Sequence, residues 1–288
     1  MHYGIIPPYR ASIVHDPTYM GEFARHGDHL GFETIYAVEH AVVAKDYQRK
    51  YPYNSSGEMA LAEDCNIPDP LDLLAWLAGI TQNIRLATGI LVAPNHHPVP
   101  LAKRCATIDV LSGGRLHLGV GVGWMREELE ACGVDFATRG RRLDEIIEVM
   151  RKLWADGAAE HEGEFFQFAP CMSYPKPVGH AISIHVGGHS KAAARRAGRL
   201  GDGFQPLGLV GDDLRAALDL MRASANEAGR DPDAIELTLG GGLAAFDEAA
   251  LESAQSFGAT RVLLGSGTSD LSGLKDEMSA FAEKFIAA

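Results

Sequence analysis

The chain has 288 residues, 46% of them hydrophobic and 22% charged, and this ordinary globular composition excludes a disordered chain, a coiled coil and a small disulfide-stapled fold. Asp and Glu total 38 against 26 Lys and Arg, and the resulting net charge of −12 argues against a nucleic acid partner because such a surface repels phosphate backbones. A length of 288 residues fits either two ordinary domains or one large α/β barrel, and strand spacing decides between them.

Short apolar runs alternate with amphipathic helical segments, a pattern typical of βα units and a parallel sheet. Apolar residues between the strands recur with a helical period, which indicates helices that pack on the outside of a barrel. In chain order, eight strands are predicted near residues 2–6, 34–38, 85–92, 115–122, 182–187, 202–207, 235–242 and 261–265.

Two of the intervals between strand starts are too long for a plain βα unit. The surplus residues follow strand 2, at about 41–68, and precede strand 5, at about 156–180. Long loops in compact domains are usually functional, and loops that follow barrel strands lie on the catalytic face. We therefore predict a single (β/α)8 TIM barrel over residues 1–288, with insertion loops after strand 2 and before strand 5, the first of which we interpret as a lid.

Targeting signals and cysteine clusters are not evident in the sequence. The first ten residues lack a basic segment followed by an apolar one, and no apolar run approaches the roughly 20 residues that cross a bilayer. The four cysteines are widely spaced and form no CxxC pair, as is typical of thiols in a reducing cytoplasm. We expect a soluble, cytoplasmic protein without a membrane partner, a disulfide framework or a metal site.

Histidines follow two of the predicted strands. Glu39 and His40 end strand 2, where barrel enzymes place catalytic residues, and a histidine can exchange a proton beside a reacting carbon. The alternative for His40 is a structural histidine bonded to a neighbouring carbonyl. His96 and His97 are weaker candidates, because they precede Pro98 at a helix start and could be ordinary loop residues.

Glycines mark two other strand ends. The glycine in Thr88-Gly89-Ile90 indicates either a bulge or close packing inside the barrel. In Gly119–Trp124, glycines at every second position would share one strand face and leave room for a large, flat ligand. Glu127 and Glu128 follow, either as part of a site or as carboxylates favoured in a first helical turn.

A fourth candidate segment, Val186–Ser190, precedes a predicted helix. Gly187 and Gly188 can expose backbone N–H groups, and the N-terminus of a helix attracts phosphate. Ser190 is either a phosphate ligand or a simple N-cap of that helix.

Together, four long segments resemble the luciferase-like monooxygenase superfamily of flavin and deazaflavin barrels. Within that superfamily, the chain most resembles the branch that depends on the deazaflavin coenzyme F420. The segments are LGFETIYAVEH (30–40), NIRLATGILVAPNHHPVPLAKRCATIDVLSGGRLHLGVGVGW (83–124), GVDFATRGRRLDEIIEVMRKLW (133–154) and VGGHSKAAARRAGRLGDGF (186–204).

The resemblance implies that the cofactor lies at the carboxyl ends of the barrel strands. It implies a non-proline cis peptide between Gly89 and Ile90, next to Thr88 and behind the ring. It also places His40, with Glu39 beside it, near the reactive carbon. The other implied cofactor contacts are Gly121, Val122, Gly123, Trp124 and Glu127 around the ring and tail, and Gly187, Gly188, His189 and Ser190 at the phosphate.

We therefore expect an F420-dependent oxidoreductase that transfers a hydride between the deazaflavin C5 and a small, fairly apolar organic substrate. Relatives that oxidise sugar phosphates carry a glutamate where Trp124 stands, which argues against that substrate class. Two alternatives stay open: an FMN-dependent monooxygenase served by a separate reductase, and a non-catalytic barrel that binds flavin. The resemblance also implies a homodimer. The aromatic loop residues that suggest an apolar substrate, or that merely close the barrel top, are Tyr47, Tyr51, Tyr53, Phe165 and Phe166.

Overall fold

The structure is a computed structural model that describes residues 1–48, 50–51 and 56–287. The strands in these residues are β1 (His2–Ile6), β2 (Thr34–Ala37), β3 (Arg85–Thr88), β4 (Leu91–Val92), β5 (Leu116–Gly121), β6 (Ala159–Glu162), β7 (Gln167–Cys171), β8 (Ile184–Gly187), β9 (Gly203–Gln205), β10 (Glu236–Gly242) and β11 (Arg261–Gly265). The α-helices are α1 (Pro17–His29), α2 (Pro70–Ala78), α3 (Pro98–Ser112), α4 (Arg126–Ala131), α5 (Arg139–Trp154), α6 (Lys191–Leu200), α7 (Gly211–Glu227), α8 (Glu248–Ser256) and α9 (Leu271–Phe285).

The strands form a closed parallel barrel, as predicted. β1 pairs with both β2 and β11, and the ring continues through β10, β9, β8 and β5. β5 pairs with β3 and with β4, so these two short segments together complete the eighth barrel strand. The carboxyl ends of all these strands therefore meet at one end of the barrel, where the candidate residues lie.

The predicted strand at 85–92 is interrupted in the structure. β3 ends at Thr88, the Gly89–Ile90 peptide bond is cis as the resemblance implied, and β4 begins at Leu91. The amide of Gly89 donates to the carbonyl of Ala37 at 2.7 Å, and a Cβ at Gly89 would lie 2.8 Å from Cδ1 of Tyr36. The close approach of Tyr36 explains why this position carries glycine.

Amphipathic helices cover the outside of the barrel, as their periodicity predicts. Helix α5 buries the whole stripe of apolar residues along one face, and burial of such large side chains contributes about 1.5–3 kcal/mol each. No helix in the described part of the chain combines the length and the apolar character needed to cross a membrane. The stripe on α5 consists of Leu143, Ile146, Ile147, Met150, Leu153 and Trp154.

The two long insertions have different structures. In its described residues, the lid segment after β2 contains neither helix nor strand, and the Cys65 thiol near its end donates to the carbonyl of Tyr9 at 3.1 Å. The predicted insertion before β8 carries an antiparallel hairpin of β6 and β7, which the strand spacing in the sequence does not predict. Buried and exposed residues alternate along Ala159–Glu162, as in a strand with one buried face.

A buried cluster of charged and titratable side chains closes the amino end of the barrel. Two guanidinium nitrogens of Arg261 contact the two carboxylate oxygens of Glu33 at 2.8 and 2.9 Å. Burial alone would raise the pKa of Glu33, but the hydrogen bond and charge of Arg261 lower it to about 2. Burial also lowers the pKa of His117 to about 3 and that of His185 to about 4, with a further contribution from neighbouring positive charge.

Candidate active site

The site is organised around His40, which lies three residues beyond the end of β2. Its Nδ1 atom is 3.0 Å from Oε2 of Glu128, and the next backbone amide, that of Ala41, donates to Oε1 of Glu128 at 2.6 Å. Glu128 lies in the first turn of α4 and its side chain is only 1% exposed. From the sequence alone, Glu128 is either a site residue or a carboxylate favoured in the first turn of a helix. The structure places its carboxylate against His40.

Glu39 has a separate set of contacts from its neighbour. One of its oxygens accepts from the amide of Val92, the last residue of β4, and the other lies 2.6 Å from Nε2 of His96. Glu39 is buried, so these bonds fasten the end of β2 to the turn that follows β4. The arrangement favours a supporting role for Glu39 over direct proton transfer, and it brings His96 into the site.

His97 belongs to the scaffold. Its Nδ1 atom accepts from the amide of Val99 at 3.3 Å, which caps α3, and its ring packs edge-on against Phe166 with ring centres 5.2 Å apart. Arg142 lies over the same Phe166 ring at 4.7 Å. Phe166 therefore joins the β6–β7 hairpin to α3 and α5.

Ile90 occupies the space beside two of the predicted cofactor-binding glycines. A Cβ at Gly121 would lie 2.5 Å from Cδ1 of Ile90, and a Cβ at Gly187 would lie 2.5 Å from Cγ2 of Ile90. The two glycines thus allow the side chain of Ile90 to lie against the ends of both β5 and β8. They make room for Ile90 and not directly for a ligand, and Ile90 provides an apolar surface at the carboxyl end of the barrel.

The prediction that the glycines of Gly119–Trp124 share one strand face is wrong at Gly123. β5 ends at Gly121, so Val122 and Gly123 lie beyond the strand. Gly123 has a φ of +79°, and a Cβ there would lie 2.8 Å from Cγ1 of Val92. The turn at Gly123 requires a positive φ, which glycine adopts without the steric cost of a side chain.

The segment predicted to bind phosphate lies between β8 and the N-terminus of α6. Gly188 has a φ of +124°, and its amide donates to the carbonyl of Gln205 at 3.1 Å. Ser190 is the N-cap of α6, since its Oγ atom accepts from the amide of Ala193 at 3.1 Å. His189 lies between them, and the first turn of α6 carries no acidic residue that would repel an anion.

Asn95, which no sequence motif indicates, lies in the turn after β4. Both its Oδ1 and Nδ2 atoms are buried and find no hydrogen-bond partner among the described residues. A buried polar group without a partner costs about 1–3 kcal/mol, and the amide of Asn95 is available to bond a polar group that enters this turn. The apolar side chain of Ile90, the unsatisfied amide of Asn95 and the N-terminus of α6 are the groups here that could contact an apolar ring, a polar ring atom and a phosphate.

Aromatic side chains of the lid pack on Trp124 at the mouth of the barrel. The ring of Trp124 meets Tyr47 at 5.4 Å and Tyr51 at 5.2 Å between centres, and meets His40 at 6.1 Å, all edge-on. The predicted lid residue Tyr53 lies outside the described residues. Glu127 also contacts the lid, because its Oε1 atom accepts from the amide of Gln48 at 3.1 Å.

A family model described as luciferase-like monooxygenase matches residues 1–277 of the chain. The chain belongs to the luciferase-like monooxygenase family. The match agrees with the resemblance in the sequence.

The curated relatives of this luciferase-like protein differ in their cofactors. An uncharacterised protein of Mycobacterium tuberculosis is 39% identical over 166 residues, 57% of this chain and 58% of the relative, so the chain spans less than two thirds of that relative's length. An F420-dependent glucose-6-phosphate dehydrogenase of Segniliparus rotundus is 34% identical over 173 residues, 57% of this chain and 51% of the relative. The oxygenase component of a flavin-dependent trigonelline monooxygenase of Acinetobacter baylyi is 42% identical over 113 residues, 38% of this chain and 31% of the relative.

Solved structures with the same fold cover nearly all of the chain. An F420-dependent secondary alcohol dehydrogenase in complex with an F420-acetone adduct gives a TM-score of 0.79 at 17% identity, over 99% of this chain and 98% of the other. A monooxygenase from Streptomyces bottropensis gives a TM-score of 0.76 at 23% identity, over 100% of this chain and 99% of the other. At such identities, these similarities establish the TIM-barrel fold alone.

Proposed function

We propose that the protein is an F420-dependent oxidoreductase that transfers a hydride between C5 of the deazaflavin and a small, fairly apolar organic substrate. The observation that carries the proposal is His40, held by the buried Glu128 at the carboxyl end of the barrel. When a hydride leaves or reaches a carbon that bears oxygen, a proton moves at that oxygen, and a positioned histidine can exchange it.

The residues near His40 fit a deazaflavin. The phosphate would lie beside Gly187, Gly188 and Ser190 at the N-terminus of α6, where the hydroxyl of Ser190 can donate and the helix terminus attracts anions. Ile90 would contact the ring from its apolar side, and the unsatisfied amide of Asn95 would meet a polar ring atom. When bound, the deazaflavin supplies the hydride chemistry, while the protein supplies orientation and electrostatics.

Within this proposal, His40 exchanges its proton through Nε2, because Nδ1 faces Glu128. Trp124 and the lid residues Tyr47 and Tyr51 exclude water from the mouth of the barrel and present aromatic edges to the substrate. An apolar substrate fits these rings better than a sugar phosphate does, since Trp124 offers no charge to a phosphate.

The choice of F420 over FMN rests on similarity. The F420-dependent relative aligns over 173 residues and the flavin-dependent one over 113, although the shorter alignment has the higher identity. An FMN-dependent monooxygenase is therefore the second candidate, and it would need a separate reductase as a partner, as the oxygenase component of a multi-component enzyme does.

Turnover with each cofactor separates the candidates. The protein would be incubated with oxidised or reduced F420, or with reduced FMN, and a panel of apolar alcohols, ketones and enones, while deazaflavin absorbance and dissolved oxygen are followed together. The proposal predicts a substrate-dependent change in deazaflavin absorbance without oxygen consumption. Substrate-dependent oxygen consumption with reduced FMN identifies the monooxygenase instead, and cofactor binding without turnover on the whole panel indicates a non-catalytic barrel.

A further inference from the structure

We propose that Glu128 is a positioning residue that holds His40 in one tautomer, with the hydrogen on Nδ1 and the lone pair of Nε2 available to the substrate. The role of Nε2 rests on the proposed function, whereas the tautomer itself is a property of the protein alone. Family membership and the similarity to the relatives assign no role to Glu128.

The geometry of the two hydrogen bonds supports this tautomer. The amide of Ala41 can only donate, so Oε1 of Glu128, at 2.6 Å, is its acceptor. Oε2 of the same carboxylate lies 3.0 Å from Nδ1 of His40, and an ionised carboxylate has only acceptors to offer. The hydrogen between them therefore belongs to Nδ1 of the imidazole.

Burial protects both hydrogen bonds of Glu128 from competition with water. The Glu128 side chain is 1% exposed and that of His40 is 10% exposed, so water competes little for either bond. The other nearby carboxylate, Glu39, is occupied by His96 and by the amide of Val92. Glu128 is thus the carboxylate on Nδ1, a position from which it orients the ring and stabilises the imidazolium that forms when Nε2 accepts a proton.

Glu128→Gln provides a sharp test, because the amide of Ala41 constrains how the new side chain can turn. The carbonyl oxygen of the glutamine must accept from that amide, so its NH2 group faces Nδ1 of His40. An NH2 group donates, and Nδ1 must then present a lone pair, which moves the hydrogen to Nε2. The substitution should therefore reverse the tautomer while preserving size and shape.

The measurement is the long-range 1H–15N spectrum of the histidine side chains in the full-length protein. The signals of His40 are identified by their loss in His40→Ala among the 12 histidines. We expect the Nδ1–H tautomer in the wild type and the Nε2–H tautomer in Glu128→Gln. Glu130→Gln, a matched change on an exposed position of the same helix, should leave the wild-type tautomer in place.

Kinetics on a substrate found by the turnover panel provide a second readout. We expect kcat to fall about a hundredfold or more in Glu128→Gln, since a wrong tautomer disables the proton acceptor, while KM and the Kd for F420 change by less than about threefold. Glu130→Gln should keep the wild-type kcat.

Two results would overturn the inference. A wild-type His40 with its hydrogen on Nε2, or present as a mixture of neutral tautomers, contradicts it even if the variant does not fold. An unchanged kcat in a folded Glu128→Gln enzyme that transfers a hydride from F420 also contradicts it, and leaves the proposed function intact. Failure of the wild type to use F420 rejects the proposed function instead, and the tautomer measurement still decides the position of the proton.

Discussion

Single residues determine what the carboxyl end of this barrel can bind. Ile90 lies in the space left by Gly121 and Gly187. The ring of His40 is oriented by the carboxylate of Glu128, 88 positions further along the chain. The sequence predicts His40 from its place after a strand, but it does not predict the Glu128 contact. That contact depends on how the loops after β2 and β5 approach one another, and no local periodicity encodes this approach.

Replacement of His40 by alanine tests its role as the group that exchanges the proton. We expect kcat to fall by about 10²- to 10⁴-fold, the usual contribution of a positioned acid–base group, while the Kd for F420 stays within about threefold. Steady-state kinetics and fluorescence titration measure the two effects, with His15→Ala, an exposed histidine, as the control. Turnover at the wild-type rate would remove His40 from the mechanism.

Replacement of Gly187 by alanine tests the contact with Ile90. The new methyl group would lie 2.5 Å from Cγ2 of Ile90, and such overpacking costs about 1–3 kcal/mol in the free energy of unfolding. Urea unfolding compares this variant with Gly79→Ala, where φ is −77° and the nearest atom to a Cβ is 3.5 Å away. Equal stability of the two variants would show that Ile90 does not lie against Gly187.

At the scale of whole elements, the sequence predicts the barrel better than it predicts the insertions. The alternation of strands and helices gives the order of the barrel strands because consecutive parallel strands lie side by side and their crossovers have a fixed handedness. The interruption between β3 and β4 and the β6–β7 hairpin depend instead on contacts made by individual residues. Glu145, for example, accepts from the amides of Phe165 and Phe166 at the tip of the hairpin.

The lid is the element whose attachment is most readily tested. Trp124 makes ring contacts with Tyr47 and Tyr51, and such pairs contribute about 0.5–1.5 kcal/mol each. Trp124→Ala should therefore raise the rate of trypsin cleavage at Lys45 and Lys50 about tenfold, measured by mass spectrometry of timed digests.

Trp76→Ala is the control for this experiment, since Trp76 is a partly exposed tryptophan on α2. In the Trp76→Ala variant, trypsin should cleave the lid at the wild-type rate. If the lid of Trp124→Ala is cleaved no faster than that of Trp76→Ala, the lid is not held by Trp124.

In the molecule as a whole, the two ends of the barrel carry different groups of polar residues. The carboxyl end carries the candidate site, whereas the amino end is closed by Arg261, Glu33, His117 and His185. Nothing in the spacing of the sequence predicts this second cluster, because its members come from four separate strands or strand ends. The predicted homodimer and cytoplasmic location stay predictions, and sedimentation analysis of the purified protein tests the first.

The histidines of this cluster make the stability depend on pH. Burial lowers the pKa of His117 to about 3 and that of His185 to about 4, whereas in the unfolded chain both take up a proton near pH 6.5. Unfolding therefore binds protons below pH 6.5, and the stability present at pH 7 is lost as the pH falls towards 4. Each histidine contributes a loss of about 2 kcal/mol between pH 7 and pH 5.

Urea unfolding at a series of pH values checks this dependence. His185→Gln should have a shallower loss of stability between pH 7 and pH 5 than the wild type, whatever its stability at pH 7. His15→Gln, which alters an exposed histidine, should keep the wild-type slope. A stability that stays constant over this range, or an unchanged slope in His185→Gln, would contradict the assignment.

A fluorescence titration of the purified protein with F420 and with FMN decides whether this barrel binds a deazaflavin. We predict saturable binding of F420, about tenfold or more tighter than that of FMN, which corresponds to about 1.4 kcal/mol in binding free energy. Absence of F420 binding in both its oxidised and its reduced forms, or tighter binding of FMN, would contradict the proposal that the protein depends on F420.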